Sequence, residues 1–254
     1  MGTRTLGDRP WLVVDEHRDR DIALRQRALL DQRNDVAWLT DDAVAASAVV
    51  VKLIETELST PPQATPGLHP LEAASLMVQD DLCLMHRRDD RWHLDASIVS
   101  FPTHWYLPDK VGRPVGQVHA PVNEYEDRIA DKVTRLFDRL TERPVWRRNW
   151  GLTDTTTLYQ PHRRGAHPQI AADRIATDLF IRSERQTLRL VMADWILFTI
   201  RIQIEPVGSL LTTAEDVDRL RRWVSDVDDG HGQHRHLGAA QRPELLAALD
   251  AQLA

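Results

Sequence analysis

Residues 179–204 read LFIRSERQTLRLVMADWILFTIRIQI. Two strand-length runs, 179–191 and 195–204, stand on either side of Met192-Ala193-Asp194. Leu, Ile, Phe and Thr occur in both, so the stretch predicts a long antiparallel hairpin. In a strand, Arg182, Glu184 and Gln186 share one face, and Ser183, Arg185 and Thr187 share the other. Arg201, on the second run, faces opposite to Ile200 and Ile202.

The pattern extends upstream. Runs 82–86 and 92–101 flank a polar turn at 87–91. In the second run Trp92, Leu94, Ala96 and Ile98 alternate with His93, Asp95, Ser97 and Val99, which predicts a hairpin with one apolar face. Residues 145–150 read as another strand and 115–118 as a short one. Helical spacing marks 19–31 and 42–58, the latter through Val44, Val51, Ile54 and Leu58 with Asp42 as cap. Pro70 suits a first helical position, ahead of a helix over 71–79. The clearest helix spans 123–140, where Tyr125, Ile129, Val133, Leu136, Phe137 and Leu140 form one stripe. Asn123 is its cap, with Glu126 three residues on. Helices over 214–226 and 243–253 close the chain.

These elements predict an α+β fold: an antiparallel sheet of about five strands with flanking helices and a helical N-terminal extension. The expected division is a 1–80 extension, an 81–210 core and a 211–254 helical tail, together one folding unit. Breaks fall at 61–69, 161–173 and 228–241, where Pro, Gly and polar residues gather.

Composition narrows the function. A net charge of -6, with both signs interspersed, argues against a nucleic-acid partner. No apolar run reaches membrane-helix length, and the N-terminal segment lacks a signal-peptide core, so the chain reads as cytoplasmic with no membrane partner. Cys83 is the one cysteine, which excludes an internal disulfide and a cysteine-held cluster from this chain alone. Neither GxGxxG nor GxxxxGK[ST] occurs, so the usual dinucleotide and nucleotide loops are missing.

Residues 100–122 read SFPTHWYLPDKVGRPVGQVHAPV and concentrate chemistry. Trp105, Lys110, Arg113 and His119 fall together just ahead of the clearest helix. A neutral imidazole suits iron, and cations upstream suit carboxylates on an iron-containing planar ligand. The same residues also suit an ordinary loop. The run 182–187 is either a solvated sheet face or a polar wall over a cofactor. Trp105, Trp146, Trp150 and Trp195 suit a core or an aromatic lining. Cys83, inside an apolar strand pattern, reads as a buried small hydrophobe rather than a thiolate ligand. His231, His234 and His236 read as a Gly- and Asp-rich loop.

The segments resemble, in order, the haem-dependent oxidative N-demethylase family, also described as the dimethylamine monooxygenase α subunit. They are Arg9-Pro10-Trp11-Leu12 with Asp15; Val78-Gln79-Asp80-Asp81-Leu82; Ser100-Phe101-Pro102 with Trp105; Asp109-Lys110-x-Gly112; His119-Ala120-Pro121-Val122; Arg148-Asn149-Trp150; 182–189; and 196–201. The resemblance implies a PAS-like fold holding haem b, with His119 as proximal iron ligand. Lys110, Arg113 and Trp105 would hold the cofactor, and Arg182, Glu184, Arg185 and Arg201 would form a distal polar wall. It implies demethylation of a small amine such as dimethylamine with O2, releasing formaldehyde. Electrons would come from NADPH through FMN and 2Fe-2S on separate flavin and iron–sulfur reductase components. A haem-based PAS gas or redox sensor without turnover is the alternative. The chain departs from the family pattern at Val191, at Asn123 and in its Gly- and His-rich tail.

Overall fold

A computed structural model describes residues 2–59, 61–118, 130–140, 143–162, 170–226 and 241–253. Among these, seven strands pair in one sheet: β1 (Arg4–Thr5), β2 (Ala37–Trp38), β3 (Asp81–Arg88), β4 (Arg91–Ile98), β5 (Val145–Thr153), β6 (Phe180–Met192) and β7 (Trp195–Pro206). Their spatial order is β1-β5-β6-β7-β3-β4-β2. β3 runs antiparallel to both β4 and β7, so the first and last long strands meet at the centre.

Both expected hairpins form. Asp89 and Asp90 join β3 to β4 with φ of 49° and 57°, the left-handed pair that matches strand twist in a two-residue turn. Asp194, with φ 61°, helps turn β6 into β7. The sheet exceeds the expected five strands because β1 and β2 occupy its edges, and two-residue strands carry no periodicity to read. The strand expected at 115–118 is instead a turn of helix, Val115–Val118. Its two valines lie three apart, which is helical spacing.

The β3–β4 hairpin does not present one apolar face. Its register shifts between Leu84 and Met85: Leu84 pairs with Ala96, but Met85 pairs with Leu94. The shift bulges β4 at Asp95 and exchanges its faces. Leu94 and Trp92 therefore join Cys83 and Met85 in one core, while Ala96 and Ile98 join Leu82 and Leu84 in another. The bulged Asp95 accepts from Arg88 at 2.8 Å and pairs with His86 Nδ1 at 2.9 Å.

Helices cover the Leu82 and Leu84 face. They are α1 (Arg18–Asp31), α2 (Val44–Glu57) and the short α3 (Pro70–Ser75). α1 buries Asp21, Arg25, Ala28 and Leu29 on one stripe. α2 is apolar around much of its girth, so packing selects the stripe: Ala46, Ser47, Val50 and Ile54 are buried, while Val44 is exposed. Pro70 opens α3 as expected, and His69 Nδ1 caps the Leu71 N–H at 3.2 Å. The helix expected over 123–140 is seen as α4 (Ala130–Asp138), whose Val133 and Phe137 pack on the opposite core. Residues 119–129 lie outside the described residues.

The chain divides into two compact units. The first comprises residues 1–147, 159–162 and 185–201 and holds both cores just described. The second comprises 148–158, 163–184 and 202–254. Its core joins Leu152, Leu179 and Val207 to Val217, Leu220 and Val224 of α5 (Ala214–Asp226) and to Leu245 and Leu249 of α6 (Arg242–Leu253). Thr213 and Asp216 cap α5 reciprocally: Thr213 Oγ1 accepts from Asp216 N at 3.1 Å, and Asp216 Oδ2 accepts from Thr213 N at 3.2 Å. No helix among the described residues is long and apolar enough to cross a membrane.

Candidate functional site

The loop after Phe101 is tied to the sheet by backbone bonds. Pro108 opens a tight turn at Leu107–Asp109. Gly112, at φ 70°, then folds the chain back, a conformation that suits glycine. Its N–H donates to Leu94 O at 2.8 Å, and Leu94 N–H donates to Arg113 O at 3.2 Å. β2 pairs with β4 only at Ile98 and Ser97, so the loop completes the edge that β2 leaves open.

This docking places Trp105, Leu107, Val111 and Val115 against Cys83, Met85, Trp92, Leu94, Leu188 and Ile196. Lys110 is half-buried and Arg113 is exposed. Burial lowers the Lys110 pKa, the Arg113 charge lowers it further, and Asp109 offsets part of this. Two cations thus stand close enough to repel in the loop docked on that core. His119 lies outside the described residues, as do His231, His234 and His236. Cys83 is buried in the same core, and burial pushes its thiol up to about 12, far from the thiolate an iron ligand requires.

The polar run of β6 separates into distinct roles. Leu188 and Leu190 belong to the loop-side core. Arg185 and Thr187, on the alternate positions, turn to the N-terminal segment. Arg185 donates to Pro10 O at 2.6 Å and Trp11 O at 2.7 Å. Thr187 Oγ1 accepts from Trp11 Nε1 at 3.0 Å and lies 2.7 Å from Thr199 Oγ1. Arg189 stands over the Trp11 ring at 4.7 Å. From β7, Arg201 reaches Asp15 at 2.6 Å and Asp21 at 3.3 Å. In the second unit, Arg182 donates to Thr157 O and Leu158 O, at 3.3 and 3.0 Å, and Glu184 accepts from Asn149 at 3.4 Å. The structure therefore gathers Trp105, Lys110 and Arg113 in one loop. It places Arg185 and Arg201 on the N-terminal face of the first unit, and Arg182 and Glu184 in the second.

A buried charge network escaped the reading of periodicity. Arg25, fully buried on α1, donates to Ser75 O, Val78 O and Gln79 O, and to Asp81 at 3.0 Å. Asp81 also accepts from the N–H groups of Ser100 and Phe101, both at 2.9 Å. Gln79 bridges Asp15 and Asp21 through Nε2, at 2.9 and 2.8 Å. The signal in the sequence was Asp80-Asp81 set directly before the apolar run Leu82-Cys83-Leu84-Met85, where buried charge demands partners. The conspicuous segments at 9–15, 78–82, 100–101, 185–189 and 199–201 all meet here.

A family model described as haem-dependent oxidative N-demethylase, alpha subunit-like, matches residues 41–242, well over half of the chain.

Proposed function

Since the chain belongs to the haem-dependent oxidative N-demethylase, alpha subunit-like family, we propose that it binds haem b and oxidatively removes a methyl group from a small methylated amine such as dimethylamine. The family match carries this reading, and the loop from Trp105 to Pro114 supports it. The residues present there suit haem. Trp105 and Val111, both half-buried at the edge of that core, offer an apolar, partly aromatic surface to a flat ring, and Lys110 and Arg113 offer cations to its propionates. A carboxylate beside this pair offsets the burial and the Arg113 charge that lower the Lys110 pKa. His119 is the proposed proximal ligand through a neutral imidazole nitrogen.

When bound, haem supplies activation of O2. The reaction balances when one amine, one O2, two electrons and two protons give the demethylated amine, formaldehyde and water. This chain's single cysteine and its lack of a nucleotide loop support borrowed electrons. We assign their supply to NADPH, through FMN and 2Fe-2S on partner reductase subunits. Arg182 and Glu184 are the proposed polar groups for oxygen and amine, assigned from the motif at 182–189. Arg185 and Arg201 act from further back as positioning residues, through the segment they hold. The sheet order supports a PAS-like fold, because two hairpins sit side by side with the first and last long strands paired.

The test is turnover. The purified chain, supplied with haem, a surrogate reductase, NADPH and O2, should release formaldehyde from dimethylamine, and Glu184→Gln should slow release about a hundredfold or more. Haem that binds O2 but yields no formaldehyde from a panel of methylated amines overturns the demethylase reading and favours a sensor.

A further inference from the structure

The loop that carries Trp105, Lys110 and Arg113 is pinned by a side chain that the proposed reaction does not use. Tyr106 Oη donates to Asp35 Oδ1 at 2.5 Å, and both residues are half-buried. Asp35 sits on the helical turn Arg33–Val36, outside the loop. That turn is itself anchored. Arg33 forks onto Glu72 of α3 at 2.8 and 2.6 Å, and Val36 O accepts from Val99 N–H at 2.8 Å. The next two residues pair with β4 as β2. The acceptor therefore stands on a fixed post at the edge of the sheet.

The donor sits where it can govern the loop. Tyr106 O accepts from Asp109 N–H at 3.2 Å and so opens the turn Leu107–Asp109. Lys110 N–H donates to Leu107 O at 2.8 Å and closes it. Trp105 directly precedes Tyr106. On the entry side, His104 takes a φ of 56°, uncommon outside glycine, and its N–H donates to Gln160 O at 2.6 Å. On the exit side, Gly112 and Arg113 bond to Leu94. Tyr106 adds a side-chain anchor between these two backbone anchors. The Asp35 hydrogen bond, with burial and the Asp35 charge behind it, pushes Tyr106 up to about 12, so the phenol keeps the proton it donates.

We propose that Tyr106, held by Asp35, is a positioning residue for haem: it fixes where Trp105 and Lys110 stand before the cofactor arrives. This assignment rests on the haem reading above. A loop without the pin has to be ordered by haem itself, which lowers affinity.

Two readouts on the full chain test it: hydrogen–deuterium exchange of residues 102–113 without haem, and haem affinity by titration of the Soret band. Tyr106→Phe keeps the ring and removes the donor. It should speed loop exchange about tenfold and weaken haem binding about threefold to tenfold. Asp35→Ala should match it, and Tyr106→Phe with Asp35→Ala should be no worse than either alone. Asp35→Asn should stay near wild type, because its amide oxygen still accepts. Leu249→Ala, a cavity in the core of the second unit, should change neither readout. Loop exchange or haem affinity that stays at wild type in Tyr106→Phe overturns the assignment alone, and so does an equal loss in Leu249→Ala. A wild-type chain that binds no haem overturns the haem reading and this assignment with it.

Discussion

Beneath α1 the sheet buries Arg25, Arg185 and Arg201 with Asp21, Asp80 and Asp81. On its other face it buries Cys83, Met85, Trp92, Leu94, Leu188 and Ile196, and the docked loop carries the half-buried Lys110 and the exposed Arg113. The same sheet thus supports two kinds of charge. On the N-terminal face, guanidiniums are spent on carbonyls and carboxylates of the chain itself, which makes them fasteners. On the loop face, Lys110 and Arg113 are the cations proposed to meet an external anion. Arginine in a motif is therefore no sign of catalysis until its partners are known.

The largest expected effect breaks a fastener. Asp81→Ala strands the buried Arg25 and removes the acceptor for two N–H groups, and should cost about 3–5 kcal/mol in denaturant unfolding. A cost under about 1 kcal/mol would erase the distinction between the faces. Lys110→Gln with Arg113→Gln should do the reverse. Stability should stay within about 0.5 kcal/mol of wild type, because one side chain is exposed and the other half-buried. Haem affinity, read by titration, should fall about tenfold or more. A stability loss as large as that of Asp81→Ala would make these cations fasteners too. The smallest effect sharpens the loop-side core. Cys83, with its thiol pushed up to about 12, should resist a disulfide reagent in the native protein near neutral pH and react fully once unfolded. Ready native labelling would mean that the floor under the loop opens.

The hairpins were legible because alternation and turn residues coincide: Asp89-Asp90 and Ala193-Asp194 sit between apolar runs. The bulge at Asp95 was not, because a one-residue slip leaves local composition unchanged while reversing which residues face which core. Trp105, Lys110 and Arg113 could be read as one cluster because nine consecutive residues carry them. The division of the β6 run could not. Arg185 is assigned by Trp11, 174 residues away in sequence, and no local pattern reports that contact. Asp80, Asp81 and Arg25 look like surface residues to any periodicity, and only the partners supplied by distant segments make their burial stable.

The most direct measurement is the absorption spectrum of the purified full chain titrated with haem. A stoichiometric Soret band that changes in His119→Ala and weakens in Lys110→Gln with Arg113→Gln, yet persists in Arg185→Lys, is the predicted result. A chain that leaves the haem spectrum unperturbed, or one whose spectrum is the same with and without His119, would contradict the account.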